Sequence, residues 1–232
     1  GARCGSAGNP YTNLVLLQDG HFFTVAASSQ IGAIKSSPGF DPANQQVVRR
    51  VLRSVGDPMS VLVWQRCILS MSFFTHGRAG LISVGGTGQN IIMPDVDTAG
   101  TLVSQLPSAN FVPCPTCVDP AQIMLYSCRS AIGPDHTHYL GGQIRDYDIP
   151  GSISAGFAVH FGSRVYGAAG GVSYTYYWLL WENWPIISLD PRDKHRDSYP
   201  FGGRWATLFD PTMFLFWPQP GAAHAAVRHV PS

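Results

Sequence analysis

The chain has 232 residues, 45% of them hydrophobic and only 12% charged, with a formal net charge of +1. That length suits one domain with long loops and is enough to bury a substantial core. A near-neutral balance with no Lys/Arg-rich arm at either end excludes a main nucleic-acid binder, and no apolar run approaches the ~20 residues of a membrane-spanning helix.

The charges are skewed, with thirteen Arg against two Lys (Lys35, Lys194) and thirteen Asp against one Glu (Glu182). Lys and Glu favour exposed helices, so their scarcity argues against a helical protein. Arg is the cation preferred at interfaces, because its planar fork pairs bidentately and stacks on rings. A charged share about half the usual one points to a surface covered by neighbouring subunits; a secreted β-domain with a Ser/Thr/Asn-rich surface is the plainer alternative. Five cysteines (Cys4, Cys67, Cys114, Cys117, Cys128) and no N-x-S/T site favour reduced thiols in an intracellular setting. No signal-peptide pattern opens the chain, and a Gly1 start fits proteolytic release from a precursor.

In chain order, residues 1–13 read as an N-terminal arm, 14–217 as one β-domain and 218–232 as a C-terminal arm. Leu14–Leu17 and His21–Ala26 flank Asp19-Gly20, which predicts a hairpin. Asp41 as cap, Pro42 at the first turn, a stripe of Val47, Val48, Val51, Leu52 and Val55, and Gly56 as a stop predict a short amphipathic helix with Gln45, Arg49 and Arg53 outside. Val61–Phe74, Leu81–Val84, Gln122–Cys128, Gln143–Ile149, Phe157–Phe161, Val172–Leu180 and Phe214–Trp217 read as strands. Segments 85–121 and 185–212 are long connections. Eight to ten short strands with Gly/Pro-rich turns predict an all-β fold, an eight-stranded antiparallel jelly-roll sandwich.

Five patterns bear on chemistry. Cys114-Pro-Thr-Cys117, with Cys128 and His136 or His138, could form a Cys₃His zinc site, but the second half lacks knuckle spacing and turn-like residues follow Cys117. Gly151-Ser-Ile-Ser-Ala-Gly156 misses the G-x-S-x-G elbow, and none of the histidines (His21, His76, His136, His138, His160, His195, His224, His229) has a nucleophile that sequence can set beside it. Gly85-Gly-Thr-Gly88 lacks the Lys-Ser/Thr of a phosphate loop. Asp146 and Asp148 share a strand face and, with Glu182 the single Glu, read as solvated edge residues rather than a glycosidase pair. Tyr174, Tyr176, Tyr177, Trp178, Trp181 and Trp184 suit either a sugar-stacking platform or a buried interface strand, and rings on both faces favour burial.

Within Val61–Gly86, Trp64-Gln65-Arg66 followed by Gly77-Arg78-Ala79-Gly80-Leu81-Ile82 resembles the strand–turn–strand step of picornavirus-like capsid jelly rolls, and Ile144–Ser152 is similar to a later strand of those subunits. Gly151 stands where that family has Tyr. The resemblance implies a coat subunit, not an enzyme, that assembles with sister coat proteins into an icosahedral shell in the virion, after assembly in the host cytoplasm. It further implies diffuse contact with viral RNA, possible contact with a host receptor or vector, no membrane contact and no cofactor. A carbohydrate- or receptor-binding β-sandwich, either a lectin or a capsid spike domain, is the alternative expectation.

Overall fold

Each strand of the central sheet carries apolar side chains in both registers, the mark of a strand covered on two faces. In β1 (Tyr11–Gln18), Leu14 and Leu16 enter one core while Val15 and Leu17 enter the other. β3 (Ile68–Phe74) sends Met71 and Phe73 to the first core and Phe74 to the second. β8 (Ile123–Tyr126) divides Ile123 and Leu125 from Met124 and Tyr126 in the same way. The structure is a computed structural model that describes residues 3–85, 90–93, 100–113, 122–131, 133, 151–168, 172–177, 184–189, 213–216 and 226–228.

With β2 (Gln45–Leu52) and β9 (Val165–Ala168), these strands form a parallel sheet in the order β2-β1-β3-β8-β9. β12 (Met213–Phe216) and β13 (Ala226–Arg228) extend it antiparallel beyond β9. A small sheet of β4 (His76–Arg78), β5 (Leu81–Ser83), β6 (Ile91–Met93) and β7 (Thr101–Leu102) is inserted between β3 and β8. β10 (Val172–Tyr177) and β11 (Trp184–Leu189) pair as a separate antiparallel ribbon.

Among the described residues, three α-helices cover the sheet. α1 (His21–Ser36) lies on the face of Phe74 and Tyr126, burying Phe23, Ala26, Ala27, Gln30 and Ile34 at helical spacing. α2 (Gly56–Trp64) and α3 (Ile153–Phe161) pack on the opposite face, through Leu62 and through Phe157 and Ala158. Right-handed crossovers require this: β1 to β2 moves one way across the sheet, and β2 to β3 moves back the other way.

The parallel α/β/α sandwich overturns the expected all-β antiparallel jelly roll. His21–Ala26 is helical because the 23, 26, 27, 30, 34 spacing continues to the end of α1, where short alternation had suggested a strand. The predicted helix over 41–55 is instead a turn followed by β2. Asp41 closes the turn, accepting Asn44 and Gln45 N–H on its carbonyl and Ala43 N–H on Oδ1. The β-branched valines then favour the strand, and Gly56 opens α2 rather than stopping a helix. Val61–Trp64 belongs to α2, so the predicted strand over 61–74 shortens to β3.

Phe157–Phe161 lies in α3, whose caps are legible: Ser152 Oγ accepts Ala155 N–H at 3.1 Å, and Gly162 ends the helix at φ 59°. Gln143–Ile149 falls outside the described residues. Of the expected arms, residues 11–13 belong to β1 and 226–228 to β13.

Cys4 and Cys67 form a disulfide across 63 residues, which corrects the expectation of thiols throughout. Closing a loop of that length removes unfolded-state entropy, so reduction or Cys4→Ser is expected to cost roughly 2–4 kcal/mol, read as a lower urea midpoint with and without reductant. Ser154, fully buried in α3, has a hydroxyl with no hydrogen-bond partner among the described residues. Ser154→Ala is therefore expected to be neutral or stabilising by about 1 kcal/mol in the same melts, and a clear loss would show that the hydroxyl is satisfied.

Candidate functional site

Parallel sheets place ligands beyond the carboxyl ends of their strands, at the point where the strand order reverses. Here the chain leaves β1 toward β2 on one side, whereas β3, β8 and β9 lie on the other, so the reversal falls between β1 and β3. The segments ending there are Gln18-Asp19-Gly20 after β1, Thr75-His76-Gly77 after β3, and Ser127-Cys128-Arg129 after β8.

Register brings the last two together. Phe74 pairs with Tyr126, and their rings stack with centroids 4.7 Å apart. One residue on, the Thr75 and Ser127 hydroxyls share a buried hydrogen bond of 2.8 Å. A further step along each chain reaches His76 after β3 and Cys128 after β8. At Gly77 the two segments touch: a Cβ there would lie 2.8 Å from the Cys128 carbonyl oxygen and 2.9 Å from Ser127 Cβ. Only glycine permits that approach.

Each segment is held from behind. His76 donates its backbone N–H to Gln18 Oε1 at 3.1 Å, and its ring meets the Phe23 ring edge-on, at 5.1 Å and 89°. The turn carrying Cys128 is fixed through Ser130, whose hydroxyl donates to the Leu125 carbonyl at 3.1 Å and accepts Ala168 N–H at 2.8 Å. The Ser130 carbonyl accepts Ser154 N–H from α3, and Ala131 N–H reaches the Ala168 carbonyl. Arg129, between the thiol and this anchor, has φ 52°, the left-handed region that a non-glycine residue occupies at a cost of about 1–2 kcal/mol. His76 is exposed and Cys128 half-buried. Cys128 is a thiol outside the disulfide.

The residues singled out from sequence fare unevenly. Cys114, Cys117, His136, His138, Asp146, Asp148, Trp178, Trp181, Glu182 and Gly86–Gly88 lie outside the described residues. Among the described residues no group of three or more His, Cys, Asp or Glu is arranged to hold a metal ion. Tyr174, Tyr176 and Tyr177 are in β10, and Trp184 opens β11. Ser152 caps α3, and Ser154 is buried rather than presented as a nucleophile. His160 Nε2 is hydrogen-bonded to the Leu106 carbonyl at 2.6 Å, and His21 opens α1.

The pairing of His76 with Cys128 was missed, although a signal exists. Two apolar runs, Ile68–Phe74 and Ile123–Tyr126, each end in a small hydroxyl residue followed by a side chain able to act as base or nucleophile. Comparison with protein-family models, curated proteins and solved structures gives no match.

Gly77→Ala is expected to force the β3 and β8 ends apart and to cost about 1–3 kcal/mol in chemical denaturation. Gly32→Ala, at an exposed helical glycine with nothing within 4 Å of the added methyl, is the control and should gain about 0.5–1 kcal/mol.

Proposed function

We propose that the chain is a cysteine-dependent acyl hydrolase in which Cys128 is the nucleophile and His76 the general base. The observation that carries this reading is the juxtaposition of the two residues at the carboxyl ends of adjacent parallel strands, beside the strand-order reversal. A cysteine thiol is activated for acyl transfer by a neighbouring imidazole acting as base, and these two segment ends supply one of each.

His76 takes the proton from the Cys128 thiol, and the thiolate attacks the carbonyl carbon of an ester or amide. A carbon–sulfur bond forms, and the bond to the leaving group breaks as His76 returns its proton to that group. Water, deprotonated by His76, then attacks the thioester, releasing the acid and restoring the thiol. The turn around Arg129, tied to β9 and α3, keeps the nucleophile in place through both steps.

The coat-subunit reading drew on low charge, long loops, terminal arms, the resemblance over residues 61–86 and an antiparallel sandwich, and of these the parallel sheet removes the sandwich. Of the rings behind the sugar-platform reading, Tyr174, Tyr176, Tyr177 and Trp184 lie in β10 and β11, and Trp178 and Trp181 lie outside the described residues.

The test is acylation by p-nitrophenyl acetate, read as a p-nitrophenolate burst together with peptide mapping. An acetyl adduct on the peptide holding Cys128 is expected. Cys128→Ala should abolish the burst, and His76→Ala should slow it by roughly 10²–10⁴-fold. No adduct on Cys128, or an undiminished rate in His76→Ala, would refute the proposal.

A further inference from the structure

The base of a Cys–His pair is ordinarily oriented by a third group that hydrogen-bonds its far nitrogen. Among the described residues no carboxylate or amide reaches the His76 ring. Asp19, which follows β1 at the same edge, is engaged with Arg53 at 3.4 Å. What the ring meets is Phe23, edge-on at 5.1 Å.

Phe23 is well placed to hold it. It is buried in the first turn of α1, and its ring passes close to Gly20, where a Cβ would sit 3.2 Å from Phe23 Cδ2. Gln30, two turns further along the same face, is buried without exposure and bridges the two strands that end in the reacting pair. Its Nε2 donates to Ser72 Oγ of β3 at 3.5 Å, and its Oε1 accepts from Tyr126 OH of β8 at 3.4 Å. α1 is thus tied by polar contacts to both strands, while Gln18 fixes the His76 backbone at 3.1 Å.

We propose that Phe23 is the positioning residue for the His76 imidazole, an aromatic contact standing where a hydrogen-bonding group orients the base elsewhere. The inference rests on the acyl-hydrolase reading above. A perpendicular ring contact restricts rotation of the imidazole, and among the described residues no hydrogen bond engages either ring nitrogen. The contact acts on the base and not on the substrate, so its loss should lower the acylation rate constant and leave the apparent KM unchanged.

The experiment is the p-nitrophenyl acetate burst on the full chain, with Phe23→Ala, Phe23→Leu and Phe23→Tyr compared alongside their thermal melts. The alanine variant should acylate Cys128 roughly 3- to 10-fold more slowly at unchanged apparent KM, the range that one aromatic pair contributes. Tyrosine should restore the rate and leucine should not, because leucine refills the volume without a ring edge. Leucine restoring the rate as well as tyrosine, or alanine leaving it unchanged, would overturn the proposal while the hydrolase reading stood. Should Phe23→Ala fail to fold, the tyrosine–leucine comparison still decides. Absence of any adduct on wild-type Cys128 would instead remove the reading beneath it.

Discussion

The register between β3 and β8 is the constraint on which the rest depends. Side chains alternate between faces with a period of two, so a slip of one residue would turn His76 away from Cys128 and exchange the two cores. Several contacts resist it. Phe73 and Leu125 belong to one apolar core while Phe74 and Tyr126 belong to the other. Ser72 lies under Gln30 on the second face, and a slip would set its hydroxyl against Phe157 and its neighbours instead. At the far end, Gln122 Nε2 donates to the carbonyls of Leu69 and Val112 at 2.7 and 3.1 Å, locking the entry to β8. Buried polar contacts add little net energy, but leaving them unmade is expensive, so they specify one register among several.

The stabilising and reactive sulfurs are separated by the length of one strand. Cys67 directly precedes β3 and anchors residue 4 to it, whereas the reacting pair gathers beyond its carboxyl end. A strand of seven residues spans roughly 23 Å at about 3.3 Å each, too far for Cys128 to exchange with the disulfide in the folded chain. The chain therefore keeps a cross-link and, at Cys128, a cysteine outside it. At the switch point α1 departs on one face and the β4–β5 hairpin follows β3, with His76 exposed and Cys128 half-buried.

Much of this was legible in the sequence, but under the wrong period. Leu14–Leu17, Leu81–Val84 and the apolar run before Cys128 were recognised as strands, and their continuous apolar character already signals cover on both faces. The errors came where two periods compete over a short window. His21–Ala26 alternates for six residues, and only the continuation to Ile34 shows period 3.6. Residues 47, 48, 51 and 52 satisfy a helical stripe and a doubly buried strand equally, and the β-branched content decided it. The scarcity of Lys and Glu misled because the helices here do without charged faces: α3 packs Ile153, Ala155, Phe157, Ala158 and Phe161, and α1 and α2 expose Phe22, Ser28, Val63 and Trp64 instead. The site itself was invisible for a different reason. His76 and Cys128 follow two strands that pair in parallel, and no local pattern reports which distant strands lie side by side.

Arg129 shows how the turn after β8 is made to serve the nucleophile. An extended continuation of β8 would run Cys128 on past the sheet edge. The left-handed Arg129 instead folds the chain back, so that Ser130 N–H reaches the Ser127 carbonyl at 3.3 Å and Ala131 rejoins β9. The strain is offset locally by the two hydrogen bonds of the Ser130 hydroxyl, both buried and each contributing about 1 kcal/mol. Glycine would adopt this conformation more easily but would also leave it more easily. An arginine there, over-determined by its neighbours, fixes the direction of the turn, and on the proposed mechanism a thiol held at such a turn would need no reordering step before attack.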